Sequence, residues 1–307
     1  MQSLWLLFAF SGPVLWAAST HVDKYLVEKY FKTNDVAVLL VFTALIGLVM
    51  LPFIALFQHQ ALTPGWKDAL AVAASGLLYM TGMYFYLKAL QGEEASVVAP
   101  FFQAAPLFGY VLGLLFLDES LTAKQLCGGA LIVAGGALVS FEFGATHRFR
   151  LRLLLLMLAA ALALAVSSVI FKAVAEVDRF WTTAFWSYVG EAAFGLGVLA
   201  LPRMRREFFA LFRRHPGAVL GINAANELMN LGGNLGARYA LLLAPLSLVQ
   251  AIGGTTTLFV FGFGVLLSLF WPRLGREDLS AKDLLQKGGS AALITVGVAL
   301  VGGSLRA

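Results

Sequence analysis

The sequence predicts an all-α membrane protein of ten transmembrane helices, arranged as two inverted five-helix repeats, and three observations carry that prediction. Hydrophobic residues fill 60% of the 307 positions and charged residues only 13%, a balance that keeps few domains in solution. About ten apolar runs, each near the roughly 20 residues that cross a hydrocarbon core about 30 Å thick, are separated by short polar loops. The two halves of the chain also echo each other at a spacing of roughly 150 residues.

In chain order the spans fall near 3–20, 36–57, 68–90, 95–117 and 123–141, then 151–173, 181–201, 217–240, 245–270 and 285–303. The first begins MQSLWLLFAF, lacks a basic n-region and runs past Pro13 to Trp16 without a small-residue cleavage site. It reads as an uncleaved helix and not as a secretory signal. Pro52 closes the second span, and Pro64-Gly65 precedes the third, which carries Ser75, Tyr79 and Tyr86. The fourth holds Ser96, Pro100, Gln103 and Pro106, and the turn DESLTAK (118–124) leads into the fifth.

The second half repeats these marks. Lys172 ends the sixth span as Lys24 ends the first, Pro202 closes the seventh as Pro52 closes the second, and Pro216-Gly217 precedes the eighth as Pro64-Gly65 precedes the third. The ninth span carries Gln250, Gly253, Gly254 and Thr255 after Pro245, and REDLSAK (276–282) echoes DESLTAK with a short insertion around 271–274. Five helices per unit is an odd number, so the second copy enters the membrane from the opposite side. The units are 1–143 and 151–303, and the linker between them is too short for independent soluble domains.

Charge adds orientation. The net charge of +5 sits in loops beside apolar runs, with no nucleic-acid footprint. Placing 16 of the 22 lysines and arginines on one side makes that side cytoplasmic and puts both termini outside a plasma (inner) membrane. Cys127 is the single cysteine, so no intrachain disulfide forms, and no cofactor motif is present.

The eighth span carries the chemistry. In NAANELMNLGGNLGAR, residues Asn223, Glu227, Asn230, Asn234 and Arg238 follow one another at steps of four, three, four and four, which places them on one helical face. Amides and a carboxylate left unpaired in hydrocarbon cost several kcal/mol, so that face looks into a protein interior or a watered cavity. Glu227 is the foremost candidate, as the carrier of a coupling proton or the partner of a substrate cation. The repeat matches Glu227, Leu231, Asn234 and Arg238 with Ser75, Tyr79, Gly82 and Tyr86 on the third span.

Gln103, Gln250 and Thr255 join the pathway, because proline and glycine near them free backbone groups for a ligand, although kinks that serve packing alone account for these segments equally well. Lys24, Lys172 and Arg238 are candidate gating charges, with snorkelling to the interface as the simpler reading for each lysine. For Asn223 and Asn226, near the membrane boundary, hydrogen bonds between packed helices are the better account of the amides, and Glu191 in the seventh span calls for a partner on a neighbouring helix. Gly232 and Gly236 suit close helix approach.

The stretch KALQGEEASVVAPFFQAAPLFGYVLGLLFLDESLTAKQLCGGALIVAGGALV (88–139) resembles the EamA-like carriers of the drug/metabolite transporter superfamily. That resemblance extends over almost the whole chain and is weaker in the second unit. It implies ten helices and a central cavity lined mainly by spans 1, 3, 4, 6, 8 and 9. It also implies secondary active transport of a small polar or amphipathic metabolite by alternating access. The expected partners are a small-molecule substrate, the lipid bilayer and protons as coupling ion, and a monomer is compatible with all of them. No nucleophile, metal cluster or phosphate loop points to an enzyme. A non-transporting accessory or scaffold subunit is the alternative, since polar stripes also specify helix partners.

Overall fold

The computed structural model describes residues 4–30, 36–58, 64–91, 98, 104–140, 151–175, 179–214, 216–270, 285, 289, 290, 292–297 and 300. Every element among them is helical. The order is α1 (Leu4–Tyr30), α2 (Ala37–Phe57), α3 (Trp66–Leu90), α4 (Ala104–Phe116), α5 (Ala123–Ser140) and α6 (Leu151–Val174). There follow α7 (Phe180–Ala200), α8 (Pro202–Arg214), α9 (Pro216–Leu243), α10 (Leu246–Gly253) and α11 (Thr256–Phe270).

Four helical stretches are long and apolar enough by themselves to cross a membrane: Ala37–Phe57, Trp66–Leu90, Arg152–Val174 and Leu248–Leu267. The helices α7 and α8 meet that measure only when taken together, and they are bent by 98° where they join. The helices α1 and α9 have 27 and 28 residues, which at 1.5 Å each exceed the bilayer core in length. What lowers their hydropathy is the polar residues they turn toward each other. Large apolar side chains cover the outward faces, among them Leu7, Leu56, Phe57, Leu115, Phe116, Leu196 and Phe270, as a lipid-facing surface requires.

Packing crosses the chain midpoint repeatedly. Helix α1 lies along α9, α3 lies between α6 and α7, and α2 packs on α7. The α3–α7 seam is close enough to depend on glycine. A Cβ on Gly76 would run into the backbone carbonyl of Ser187, and one on Gly190 into that of Ala73, so two small residues let the backbones meet. At the α1–α9 seam a Cβ on Gly236 would strike Ser11, and on the other side of the bundle Ser290 donates its hydroxyl to the Gly135 carbonyl of α5.

Two apolar clusters hold the ends of the bundle. One collects Leu26, Leu40, Met80, Leu87, Leu90 and Met157, and the other Trp5, Ala9, Ile132, Leu246, Leu248 and Ile252. Along α1, residues 16–23 fall between them. That middle layer is where the polar side chains gather.

Several sequence expectations change. Helix α1 runs on to Tyr30 instead of ending near residue 20, because Asp23 is buried against another helix and does not begin a loop. Pro52 lies inside α2 and does not close it. Pro202, by contrast, opens a separate helix, α8, in a stretch expected to be a loop. Proline fixes its own φ and biases the preceding residue to an extended conformation, and Leu201 is extended with φ −77° and ψ 117°. The break at 254–255 divides the expected ninth span into α10 and α11. Ser96, Pro100, Gln103 and the turn at 276–282 lie outside the described residues.

Candidate functional site

A cavity of about 210 Å³ opens in the middle layer, and its wall comes from α1, α3, α4, α6, α9, α10 and α11. Helix α9 supplies Asn230, Asn234 and Arg238, α3 supplies Tyr79 and Tyr86, and α10 supplies Gln250. From α1 come Trp16, Ser19, Thr20 and Asp23. Gly253 and Gly254, at the end of α10, bring main chain to the wall.

The polar face of α9 distributes its side chains among four other helices. Toward α1, Asn226 donates from Nδ2 to Asp23 Oδ1 at 2.7 Å and accepts from the Ser19 hydroxyl at 2.8 Å. Toward α2, Glu227 accepts from the Thr43 hydroxyl at 2.8 Å and also bonds Asn230 one turn on. Asn234 bridges two helices, donating to the Tyr79 hydroxyl at 2.7 Å and accepting from the Trp16 indole at 3.2 Å. Tyr86 shares a hydrogen bond with Thr20.

Arg238 closes the row. Its Nη2 donates to Glu191 Oε1 on α7 at 2.8 Å, and its guanidinium carbon stands 5.2 Å from the Phe171 ring centre and 5.6 Å from those of Tyr79 and Tyr188. A buried cation is costly unless paired, and here a carboxylate and three aromatic faces do the pairing. Glu191 therefore has the neighbouring-helix partner its position calls for.

Two carboxylates lack such an answer. Asp23 is 6% exposed and Glu227 4%, and among the described residues neither has a cation within ion-pair distance. Isolated ionised carboxylates are poorly tolerated at such depth, so each calls for a proton or a cationic ligand.

Beyond the Arg238 end, Lys172 near the end of α6 meets Glu119 Oε1 at 2.6 Å and donates to the Ala244 carbonyl at 2.5 Å. The other carboxylate oxygen of Glu119 accepts from Leu246 N–H at 2.8 Å, at the start of α10. Asp118 takes a left-handed conformation, φ 50°, and the Glu119 N–H returns to the Gly113 carbonyl at 3.2 Å, which turns the side chain toward α6. Helix α5 then opens with a reciprocal cap between Thr122 and Gln125.

Of the residues expected on the pathway, Tyr79, Tyr86, Asn230, Asn234, Gln250 and Arg238 line the cavity. The others stand elsewhere. Ser75 is fully buried at the α3–α6 contact, where its carbonyl accepts from Ser167 at 2.7 Å. Thr255 spends its hydroxyl on the Ile252 carbonyl at 2.7 Å, covering the break between α10 and α11. Glu227 sits behind the wall, facing α2, and Asn223 is buried with no amide partner among the described residues. Lys24 is half-buried inside α1 and not at its end, Lys172 is in the pair just described, and Gln103 lies outside the described residues.

Asp23, Ser19 and Thr43 are the functional candidates that sequence reasoning passes over. Trp16, Ser19, Thr20 and Asp23 do follow helical spacing, and that periodicity is the signal that could have found them. Asn226, which packing alone could explain, is the residue that holds Asp23.

Comparison with known proteins adds a family match over part of the chain and a likeness of fold. Residues 3–141 match the EamA-like transporter family. An uncharacterised protein of Methanocaldococcus jannaschii is 29% identical over 98 residues, 32% of this chain and 72% of that one. A solved crystal structure superposes with a TM-score of 0.66 at 16% identity, covering 100% of this chain and 99% of the other, a likeness of fold. With the apolar helices above, these findings make the chain a multi-pass integral membrane protein.

Proposed function

We propose, from the match of residues 3–141 to the EamA-like transporter family of the drug/metabolite transporter superfamily, that the chain is a secondary carrier of a small polar or amphipathic metabolite. The observation that carries this reading is the cavity between the apolar clusters, walled by Asn230, Asn234, Tyr79, Gln250 and Asp23. A cavity of that volume has room for several waters or a small solute. Its mixture of amides, hydroxyls and aromatic faces suits a solute with both polar and apolar parts.

The mechanism in this reading is rocking of two inverted five-helix units, 1–143 and 151–303, about the cavity. Helix pairing supports it. The first span of each unit lies on the third span of the other, α1 on α9 and α6 on α3. Such an exchange of partners is what a twofold axis in the membrane plane would generate.

Two charge devices complete the cycle. Lys172 and Glu119 form a gate at one end of the cavity, joining the two units while the pair is closed. Glu227 takes up and releases the coupling proton, and Asn230 relays its state to the wall through their shared hydrogen bond. Charged ligand groups, if present, meet Asp23 at one end and the paired Arg238 at the other.

Reconstitution in liposomes tests the reading. Metabolites that raise the melting temperature of the purified protein are loaded inside, and saturable exchange of the same compounds is expected. If no stabilising compound moves across, while the protein co-purifies stoichiometrically with one other membrane protein, the carrier reading gives way to that of an accessory subunit.

A further inference from the structure

Helix α8 is not used by the transport reading, and its construction is unlike that of the spans. It leaves α7 at an angle of 98°, so when α7 crosses the bilayer α8 runs along the bilayer surface. Its sequence PRMRREFFALFRR holds five arginines against one glutamate. A helix so charged is excluded from the hydrocarbon core.

At 3.6 residues per turn α8 has three distinct sides. Phe208 and Leu211 are buried, and the Phe208 ring packs on Phe42 of α2 with centres 5.0 Å apart. That is the protein side. Phe209 and Phe212 remain 50% and 39% exposed on a second side, which they share with exposed Leu201 and Arg205. Arg203, Arg206, Arg213 and Arg214 share the third, all exposed.

Their charge is largely unspent. Glu207 satisfies Arg203 at 3.0 Å, and Arg206 donates to the Pro202 carbonyl at 3.2 Å, but Arg213 and Arg214 make no ion pair among the described residues. Placement in the plane, exposed phenylalanines beside exposed arginines, and surplus positive charge are the combination that holds acidic lipid at an interface.

We propose that α8 is an in-plane anchor for acidic phospholipids, its arginine side binding their phosphate headgroups while Phe209 and Phe212 enter the acyl region. Binding by α8 is independent of whether the chain transports a solute. Phe42 precedes Thr43, the residue that holds Glu227, so the anchor braces α2 next to the polar network.

The test places the full-length protein in vesicles of phosphatidylcholine containing traces of spin-labelled phosphatidylglycerol or spin-labelled phosphatidylcholine. The motionally restricted fraction of each is then measured. The expected result is preferential association of phosphatidylglycerol, about fivefold or more, that declines as salt is raised. The variant with Arg203, Arg206, Arg213 and Arg214 each replaced by Gln should lose the preference while keeping its helical circular dichroism. Equal association of the two lipids with the unmodified protein, or a preference indifferent to salt, overturns the proposal without any variant. Retention of the preference in the folded quadruple variant overturns it as well.

Discussion

Arg238 and Glu191 meet at 2.8 Å in the interior, on α9 and α7, and bind two helices whose polar residues would otherwise be stranded in an apolar bundle. Each is less than a tenth exposed. Removing one partner leaves the other as an uncompensated buried charge, which costs roughly 3–5 kcal/mol, more than the pair itself contributes. Arg238→Met or Glu191→Leu should therefore lower thermal stability in detergent sharply. The double variant Glu191→Leu with Arg238→Met should recover much of the loss, and a double variant as unstable as the sum of the singles would refute that assignment.

Close approach of α3 and α7 predicts a second stability effect. Gly76→Ala and Gly190→Ala each push a methyl into a backbone carbonyl, which no rotamer can relieve, so both should reduce folded yield and melting temperature. Gly197→Ala, on the same α7 with no atom near its added methyl, is the control and should be close to neutral. The comparison is read by size-exclusion chromatography after heating.

Much of this architecture was legible in the sequence. The apolar runs, the polar row on α9 and the need of Glu191 for a partner all follow from periodicity and from the cost of burying polar groups. Asp23 was not legible because a charge beside Lys24 near the expected end of a span looks like a loop residue. Only the facing Asn226, 203 positions away, shows that it is interior. Helix α8 escaped for a related reason. Its arginines suggest a loop, and its helical periodicity, although present, is short and bounded by two prolines. Ser75 and Thr255 misled in the opposite direction, since a hydroxyl in a membrane helix often bonds its own backbone and reaches no ligand.

The position of Glu227 predicts a pH effect on flux. A glutamine there mimics the protonated carboxyl and retains hydrogen bonds to Thr43 and Asn230, so Glu227→Gln should fold, bind solute and exchange it. Accumulation driven by a proton gradient should be lost, and exchange should become independent of pH. Gradient-driven uptake at the unmodified rate in this variant would remove Glu227 from coupling.

Asn234 predicts a binding effect beyond its effect on folding. It faces the cavity and orients both Tyr79 and Trp16, so Asn234→Leu removes two side-chain hydrogen bonds worth about 0.6–2 kcal/mol each between membrane helices. The apparent affinity read from solute-induced thermal stabilisation should fall about tenfold or more, while the ligand-free melting temperature drops by the few degrees that the two lost bonds account for. Unaltered affinity would move the solute away from this part of the wall.

Alternating access is the central claim, and the Lys172–Glu119 pair exposes it most directly. In a Cys127→Ser background, Glu119→Cys and Lys172→Cys are joined by a bifunctional methanethiosulfonate that spans the distance of the original ion pair. Solute flux into liposomes is measured before joining, after it and after reduction. The account predicts that cross-linking stops flux by holding one gate closed and that reduction restores it. Undiminished flux through fully cross-linked protein would contradict it.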